Sequence, residues 1–203
     1  MSNSLPTAII TGASRGIGRA LAILLAQNNF QLSLVARNKG ELKDLAAEIT
    51  ELGHRPLYFD GDVADEAFVE LAVEKTMHTF GHIDFVINNA GIGAFGPTES
   101  YSAAQWDQVF DTNVKGTLNV LQAAREVGAR RIIHTSTSEV YGTAHFVPIS
   151  EEHPLQGQSP YSATKIAADQ LAYSFYSSFD LPVVIVRPFN TYGPRQSARA
   201  VIP

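Results

Sequence analysis

Tyr161 and Lys165 stand four residues apart in an apolar helical pattern, which places a phenol and an ammonium on one helix face. A nearby cation favours the phenolate. The pair therefore predicts a tyrosine of lowered pKa, able to exchange a proton with a substrate alcohol or carbonyl near neutral pH. Many surface helices contain Tyr-x-x-x-Lys, so its weight comes from what precedes it. The strongest preceding signal is TAIITGASRGIG, Thr7 to Gly18: an apolar run, glycines at 12, 16 and 18, and a helical apolar pattern opening at Ile17. A strand, a glycine turn and a helix N-terminus make a seat for a pyrophosphate, because unpaired N–H groups and the positive helix end face the anion. Gly12 permits the turn, while Gly16 and Gly18 remove Cβ atoms that would hold off the phosphates and the packing strand. Ser14, Arg15 and Ile17 complete that seat. The spacing is Gly-x-x-x-Gly-x-Gly, so the dinucleotide fingerprint is matched in mechanism and not in letters.

Composition narrows the chemistry. A length of 203 residues, 45% hydrophobic, suits a single domain with a sizeable core. The net charge of -5 argues against nucleic acid or an anionic membrane as the main partner. The chain has no cysteine, which excludes disulfides, thiolate catalysis and cysteine-ligated zinc. With neither a signal-like N-terminus nor an apolar run of spanning length, a cytoplasmic protein is expected. His78 and His82 have helical ligand spacing, but Gly81 ends the helix between them and no third ligand is near, so no metal is expected.

Strand and helix patterns alternate along the chain. Ile17, Ala20, Leu21, Leu24 and Leu25 predict one apolar stripe on the first helix. Gln31 to Val35 reads as the second strand and Pro56 to Phe59 as the third, around a helix carrying Leu42, Leu45, Ile49 and Leu52. A further helix carries Val69, Ala72, Val73, Thr76 and Phe80 and stops at Gly81. Strands four to six are expected at Ile83 to Asn88, Arg131 to Thr135 and Pro182 to Arg187. The pattern predicts an α/β Rossmann-type, doubly wound parallel sheet in the order 3-2-1-4-5-6, with right-handed crossovers. The aromatics Tyr173, Phe175, Tyr176 and Phe179 suit a core or a dimer interface, and Glu151-Glu152-His153 a solvated loop.

The end of the second strand bears on the cofactor. An NAD site usually carries a carboxylate there for the ribose 2′-hydroxyl. Here Val35 is followed by Ala36 and Arg37. Arg37, with Arg15, can pair with a 2′-phosphate, so NADP(H) is favoured. With Arg37 merely solvated, NAD would serve as well.

The Thr11–Gly18 turn resembles that of the short-chain dehydrogenase/reductase superfamily. Up to about Leu118 the chain is similar to the single-domain, ketoreductase-type branch. That resemblance implies that Asp62-Val63 contacts the adenine, and that Asn89, Ala90 and Gly91 of the Asn88–Gly91 element lie along the cofactor. It also implies that Asn113 helps position a water beside the active-site lysine, and that Lys165 binds the nicotinamide ribose.

Beyond that point the resemblance changes. IIHTSTSEVYGTA at Ile132 to Ala144, SPYSATKIAADQ at Ser159 to Gln170 and VRPFNTYGPRQSARAVIP at Val186 to Pro203 resemble the extended branch, especially its nucleotide-sugar 4,6-dehydratases. In the single-domain branch the hydroxyl beside the tyrosine falls at Pro148, which has none. The extended spacing places it at Thr137. Thr137-Ser138-Glu139 then matches the dehydratase triplet in its Thr-Ser-Glu form, with Glu139 as the base at sugar C5. The RPxNxYGP element implies Pro188 near the nicotinamide and Asn190 on a sugar-nucleotide diphosphate.

The expected protein is thus a single composite Rossmann domain with a seam near 113–118, either engineered or naturally recombined. It lacks the substrate domain with which extended enzymes continue. Three functions stay open: an NADP(H) oxidoreductase acting on a small carbonyl or alcohol, a hybrid that binds the dinucleotide without turnover, and a nucleotide-sugar 4,6-dehydratase. Helices near Val114 to Val127 and Ser162 to Phe179 pair across a dyad in most relatives, which implies a homodimer.

Overall fold

The computed structural model describes residues 4–93 and 101–189. Six strands, β1 (Thr7–Thr11), β2 (Gln31–Ala36), β3 (Leu57–Asp60), β4 (Phe85–Asn88), β5 (Arg131–Thr135) and β6 (Val183–Val186), form one sheet. Every pairing is parallel, in the order β3-β2-β1-β4-β5-β6. The expected order is therefore observed, with strand ends moved by one or two residues. All five residues of β1 are buried, as a central parallel strand covered on both faces requires.

Side-chain alternation along the strands builds two cores. Ala8, Ile10, Leu32, Leu34 and Ile87 face helices α1 (Gly16–Gln27) and α2 (Lys39–Glu51), which contribute Ala22, Ala26, Leu42, Leu45 and Ile49. Ile9, Val35, Val86 and Ile132 face the other way. They pack against α3 (Glu66–Phe80), α5 (Gly116–Glu126) and α6 (Pro160–Phe179), with Val69, Val73, Leu121, Ala172 and Phe175 at the contact. A short helix α4 (Ala103–Phe110) runs into α5 through a π-helical turn, Asp111–Lys115. The chain reverses its direction of travel across the sheet between β1 and β4, so a crevice opens at their carboxyl ends.

The apolar stripe expected on α1 is rotated. Ile17 and Leu24 are 53% and 54% exposed, and the buried positions are Gly18, Ala22 and Ala26. The cause is close approach: a Cβ on Gly18 would lie 2.3 Å from the Gly12 carbonyl oxygen, so only small side chains fit beneath this helix. His153, expected in a solvated loop, is 2% exposed. Its Nε2 accepts from the His145 amide at 3.0 Å, and the rings of Tyr141 and Phe146 pack on it. Of the four aromatics on α6, Phe175 enters the core while Tyr173, Tyr176 and Phe179 are exposed.

Gly18→Ala tests the contact under α1. Its methyl group would meet backbone rather than a yielding side chain, so a loss of about 1–3 kcal/mol is expected in urea unfolding. Unchanged stability would show that the helix can lift without cost.

Candidate active site

At the carboxyl ends of β1 and β4 two loops are bound to each other. The Thr11 hydroxyl accepts from the Asn89 and Ala90 amides, each at 3.0 Å, and the Asn89 side chain donates to the Thr11 carbonyl at 3.1 Å. Gly12 sits at φ +66°, and a Cβ there would be 2.9 Å from the Ala90 Cα. Gly16 is also left-handed, at φ +56°, with open space where its Cβ would stand. Arg15, the residue preceding α1, supplies no side-chain cap. The first amides of a twelve-residue helix therefore face the crevice without a side-chain acceptor.

That crevice is a cleft of about 400 Å³. Gly12, Ser14, Arg15, Gly16, Ile17, Arg37, Asp62, Val63, Asn89, Ala90 and Gly91 line it. Gly18 lies beneath it, packed against Gly12. Asn38, Glu41, Ile92 and Thr112 also line the cleft and were not singled out from sequence. Asn38 had a readable signal, since its side chain caps α2 by accepting from the Glu41 amide at 3.2 Å. Arg37 is not a lone cation, because its Nη1 lies 3.6 Å from the Asp62 carboxylate, with both side chains partly exposed.

The Gly91 wall of the cleft lies close to the lysine. A Cβ on Gly91 would lie 3.6 Å from Lys165 Nζ and 3.5 Å from Asn113 Oδ1. Asn113, in the π-helical turn, has its whole amide engaged. Its Oδ1 accepts from the Ile92 amide, and its Nδ2 donates to the Ile92 carbonyl and to Thr164 Oγ1, all at 2.9 Å. The Thr164 hydroxyl in turn donates to the Tyr161 carbonyl at 2.7 Å. One asparagine thus ties the loop after β4 to the first turn of α6. That helix is well started, with a Ser159–Ser162 capping box and Pro160 in its first turn.

Thr137, Ser138 and Glu139 follow β5 and open a 3-10 turn. The Ser138 amide donates to the Pro188 carbonyl at 3.0 Å, extending the β5–β6 ladder and setting Pro188 beside the triplet. The Thr137 hydroxyl lies on the same side as the Tyr161 phenol and favours its ionised form. Asn190 lies outside the described residues.

The expected lowering of the Tyr161 pKa is not what the structure shows. Burial raises it above the ordinary value, the Glu139 carboxylate raises it further, and the Thr137 hydroxyl only partly offsets them. The Lys165 ammonium, expected to lower it, is directed elsewhere and donates to the Thr135 carbonyl at 2.7 Å. Lys165 is itself pushed from 10.5 down to about 8 by burial, against the pull of Asp169. No group of His, Asp and Glu side chains suited to a metal ion occurs among the described residues. Nor is any described helix long and apolar enough to cross a membrane.

A strand–glycine turn–helix cleft beside a Tyr-x-x-x-Lys helix defines a dinucleotide-dependent oxidoreductase class, and comparison with known proteins agrees. Residues 8–203 match the NAD dependent epimerase/dehydratase family, and the chain belongs to it, within the short-chain dehydrogenase/reductase superfamily. An uncharacterized oxidoreductase of Staphylococcus epidermidis is 32% identical over 167 residues, covering 82% of this chain and 68% of its own. A dTDP-D-glucose 4,6-dehydratase of Dictyostelium discoideum is 29% identical over 210 residues, covering 96% of this chain and 46% of its own. The chain thus spans less than half the length of that relative. Among solved structures, an alcohol dehydrogenase of Thermococcus sibiricus complexed with 5-hydroxy-NADP is 31% identical. It superposes with a TM-score of 0.76 over 93% of this chain and 79% of its own. Similarity to both branches of the superfamily is therefore present.

Lys165 makes a prediction about pH. Its folded pKa lies below the unfolded one, so between about pH 8 and 10.5 the unfolded chain binds more protons and stability gains from rising pH. Lys165→Met should remove a gain on the order of 3 kcal/mol across that window in denaturant titrations. An identical pH profile in the variant would contradict the buried placement of the amine.

Proposed function

We propose that the chain is an NADP(H)-dependent oxidoreductase that reduces a small carbonyl, or oxidises the corresponding alcohol, with Tyr161 as the proton-transferring residue. The observation that carries this reading is the cleft at the uncapped α1 N-terminus, whose wall includes Gly91, the residue whose Cβ would lie 3.6 Å from the Lys165 ammonium. The donor set suits a dinucleotide: backbone amides at Gly16, Ile17 and Gly18 for a diphosphate, and Arg37 with Arg15 for a 2′-phosphate. The alcohol dehydrogenase above, complexed with 5-hydroxy-NADP, supports the same cofactor, and NAD is the alternative.

When bound, the cofactor supplies or accepts the hydride. The chain's own residues manage the proton and the positions. Tyr161, held protonated by burial and by Glu139, is suited to donate to a carbonyl oxygen, so reduction is the favoured direction at neutral pH. Thr137 shares that oxygen, and Lys165 holds the ribose end of the cofactor. Asn113 acts at a distance by fixing the Ile92 loop and the first turn of α6. Asp62, Val63, Asn89, Ala90 and Gly91 form the walls, and Pro188 closes the nicotinamide end.

The placement of Glu139 near the phenol favours a second reading, a 4,6-dehydratase in which Glu139 takes a sugar proton beside Ser138 and Asn190 binds the diphosphate. We infer further that the domain is composite, with its seam near 113–118, and that it works as a cytoplasmic homodimer. Exposed Tyr173, Tyr176 and Phe179 on α6, with Trp106 and Phe110 on α4, support the dimer. Equilibrium sedimentation should return twice the chain mass, and Tyr176→Glu should shift the protein toward monomer. A monomer at all concentrations would refute that part.

NADPH absorbance decline over a panel of ketones and aldehydes tests the main reading. Tyr161→Phe should cut the rate by about 100-fold or more. Arg37→Ala should weaken NADPH relative to NADH roughly tenfold. Cofactor binding without turnover would leave a binding module, and turnover of a dTDP- or GDP-hexose alone would favour the dehydratase.

A further inference from the structure

Beneath the lysine lies a buried polar chain that the reaction above does not use. Asp169, on α6 one turn beyond Lys165, is fully buried. Its Oδ2 accepts from Arg187 Nε at 2.8 Å, and its Oδ1 lies 3.3 Å from His134 Nε2. The second contact is long for a charge-assisted hydrogen bond, so Arg187 is the main partner. Arg187 Nη1 also donates to the Tyr141 hydroxyl at 3.0 Å. The state of His134 follows from its other neighbour. The Thr117 hydroxyl spends its proton on the Asn113 carbonyl at 2.7 Å, so at 3.0 Å from Asn88 Nδ2 it must accept. Asn88 therefore presents its NH2 group to His134 Nδ1 at 3.0 Å, and the imidazole carries its proton on Nε2, toward Asp169. His134 is neutral, since burial lowers its pKa.

We propose that Asp169 is a positioning residue for Lys165: a buried anion, held by Arg187 with the His134 ring beside it, that keeps the ammonium charged and seated on the Thr135 carbonyl. The charge count supports this. Asp169, one turn along α6, is the anion that acts on Lys165, and the ammonium in turn bears on His134 of β5, while Arg187 after β6 reaches the same Asp169 carboxylate at 2.8 Å. With His134 and Tyr161 neutral, Asp169 is the one anion set against two cations. Removing it leaves two like charges in a dry interior, and the lysine is the one able to shed its proton. Burial would raise the Asp169 carboxyl, but the neighbouring His134, Ser136 and Arg187, the last hydrogen-bonded to it at 2.8 Å, outweigh that and keep the carboxylate ionised.

The role builds on the oxidoreductase reading, but its test needs no turnover. In protein labelled at lysine 13Cε and aspartate 13Cγ, NMR titration follows both groups. Asp169→Asn should lower the Lys165 pKa by about one unit or more, and Arg187→Gln should raise it, because a competing cation is gone. A purely structural role would not move the two in opposite directions. Kinetic pH profiles should shift in the same senses, and Asp169→Glu should restore the wild-type profile. No shift in either variant, or shifts of the same sign, would overturn the proposal. Should Asp169→Asn fail to fold, a rise in Arg187→Gln supports it and a fall or no change refutes it. An Asp169 found protonated at pH 7 in the wild type refutes it whatever the variants do. Correct titrations with no NADPH turnover would instead count against the oxidoreductase reading alone.

Discussion

The hydroxyl of Thr11 accepts two backbone amides from the loop after β4, and the rest of the site depends on that junction. Two parallel strands ending side by side would otherwise let their loops diverge into solvent. Here the loops are pinned so closely that Gly12 has no room for a side chain against Ala90, and Gly18 none against Gly12. Helix α1 is consequently drawn against the sheet end with its N-terminus aimed across the crevice. The buried hydroxyl gives both half-buried amides an acceptor, the Asn89 amide also reaching the Ile87 carbonyl at 3.1 Å.

From that junction the geometry extends outward by a second set of ties. Asn113 joins Ile92 to Thr164, and Thr164 joins the Tyr161 carbonyl, so the loop that walls the cleft is tied to the helix that carries the phenol and amine. The π-helical turn is what makes this possible. Its wider turn places the side chain of Asn113 within reach of both the loop after β4 and α6, and such turns recur where a helix serves a site. On the far side, β5 and β6 continue their ladder past the last paired residues, through Ser136 to Val186 and Ser138 to Pro188. The Thr137 hydroxyl is thereby held beside the Tyr161 phenol.

Strand order and the glycine turn were readable in the sequence because they rest on local signals: apolar runs, turn residues and helical periodicity. The face of α1 was not. Its leucines and isoleucines carry the periodic signal, whereas the buried face is set by a backbone approach that selects Gly18, Ala22 and Ala26. The burial of His153 is hidden for a similar reason, since a charged flanking sequence says nothing about aromatic rings that arrive from Tyr141 and Phe146. The spacing to Lys165 by itself implies a lowered Tyr161 pKa. Spacing along a helix cannot show that the ammonium turns to the Thr135 carbonyl, or that Glu139 comes near the phenol from another element. The Asp169 network joins β4, β5, α6 and the residue after β6, so no window of sequence contains it.

A crystal structure of the protein grown with NADPH tests the central claim most directly. The account predicts the diphosphate on the amides that open α1 and the nicotinamide ring between Pro188 and the Tyr161 phenol. A dinucleotide seated elsewhere, or a ring turned away from that phenol, would contradict it.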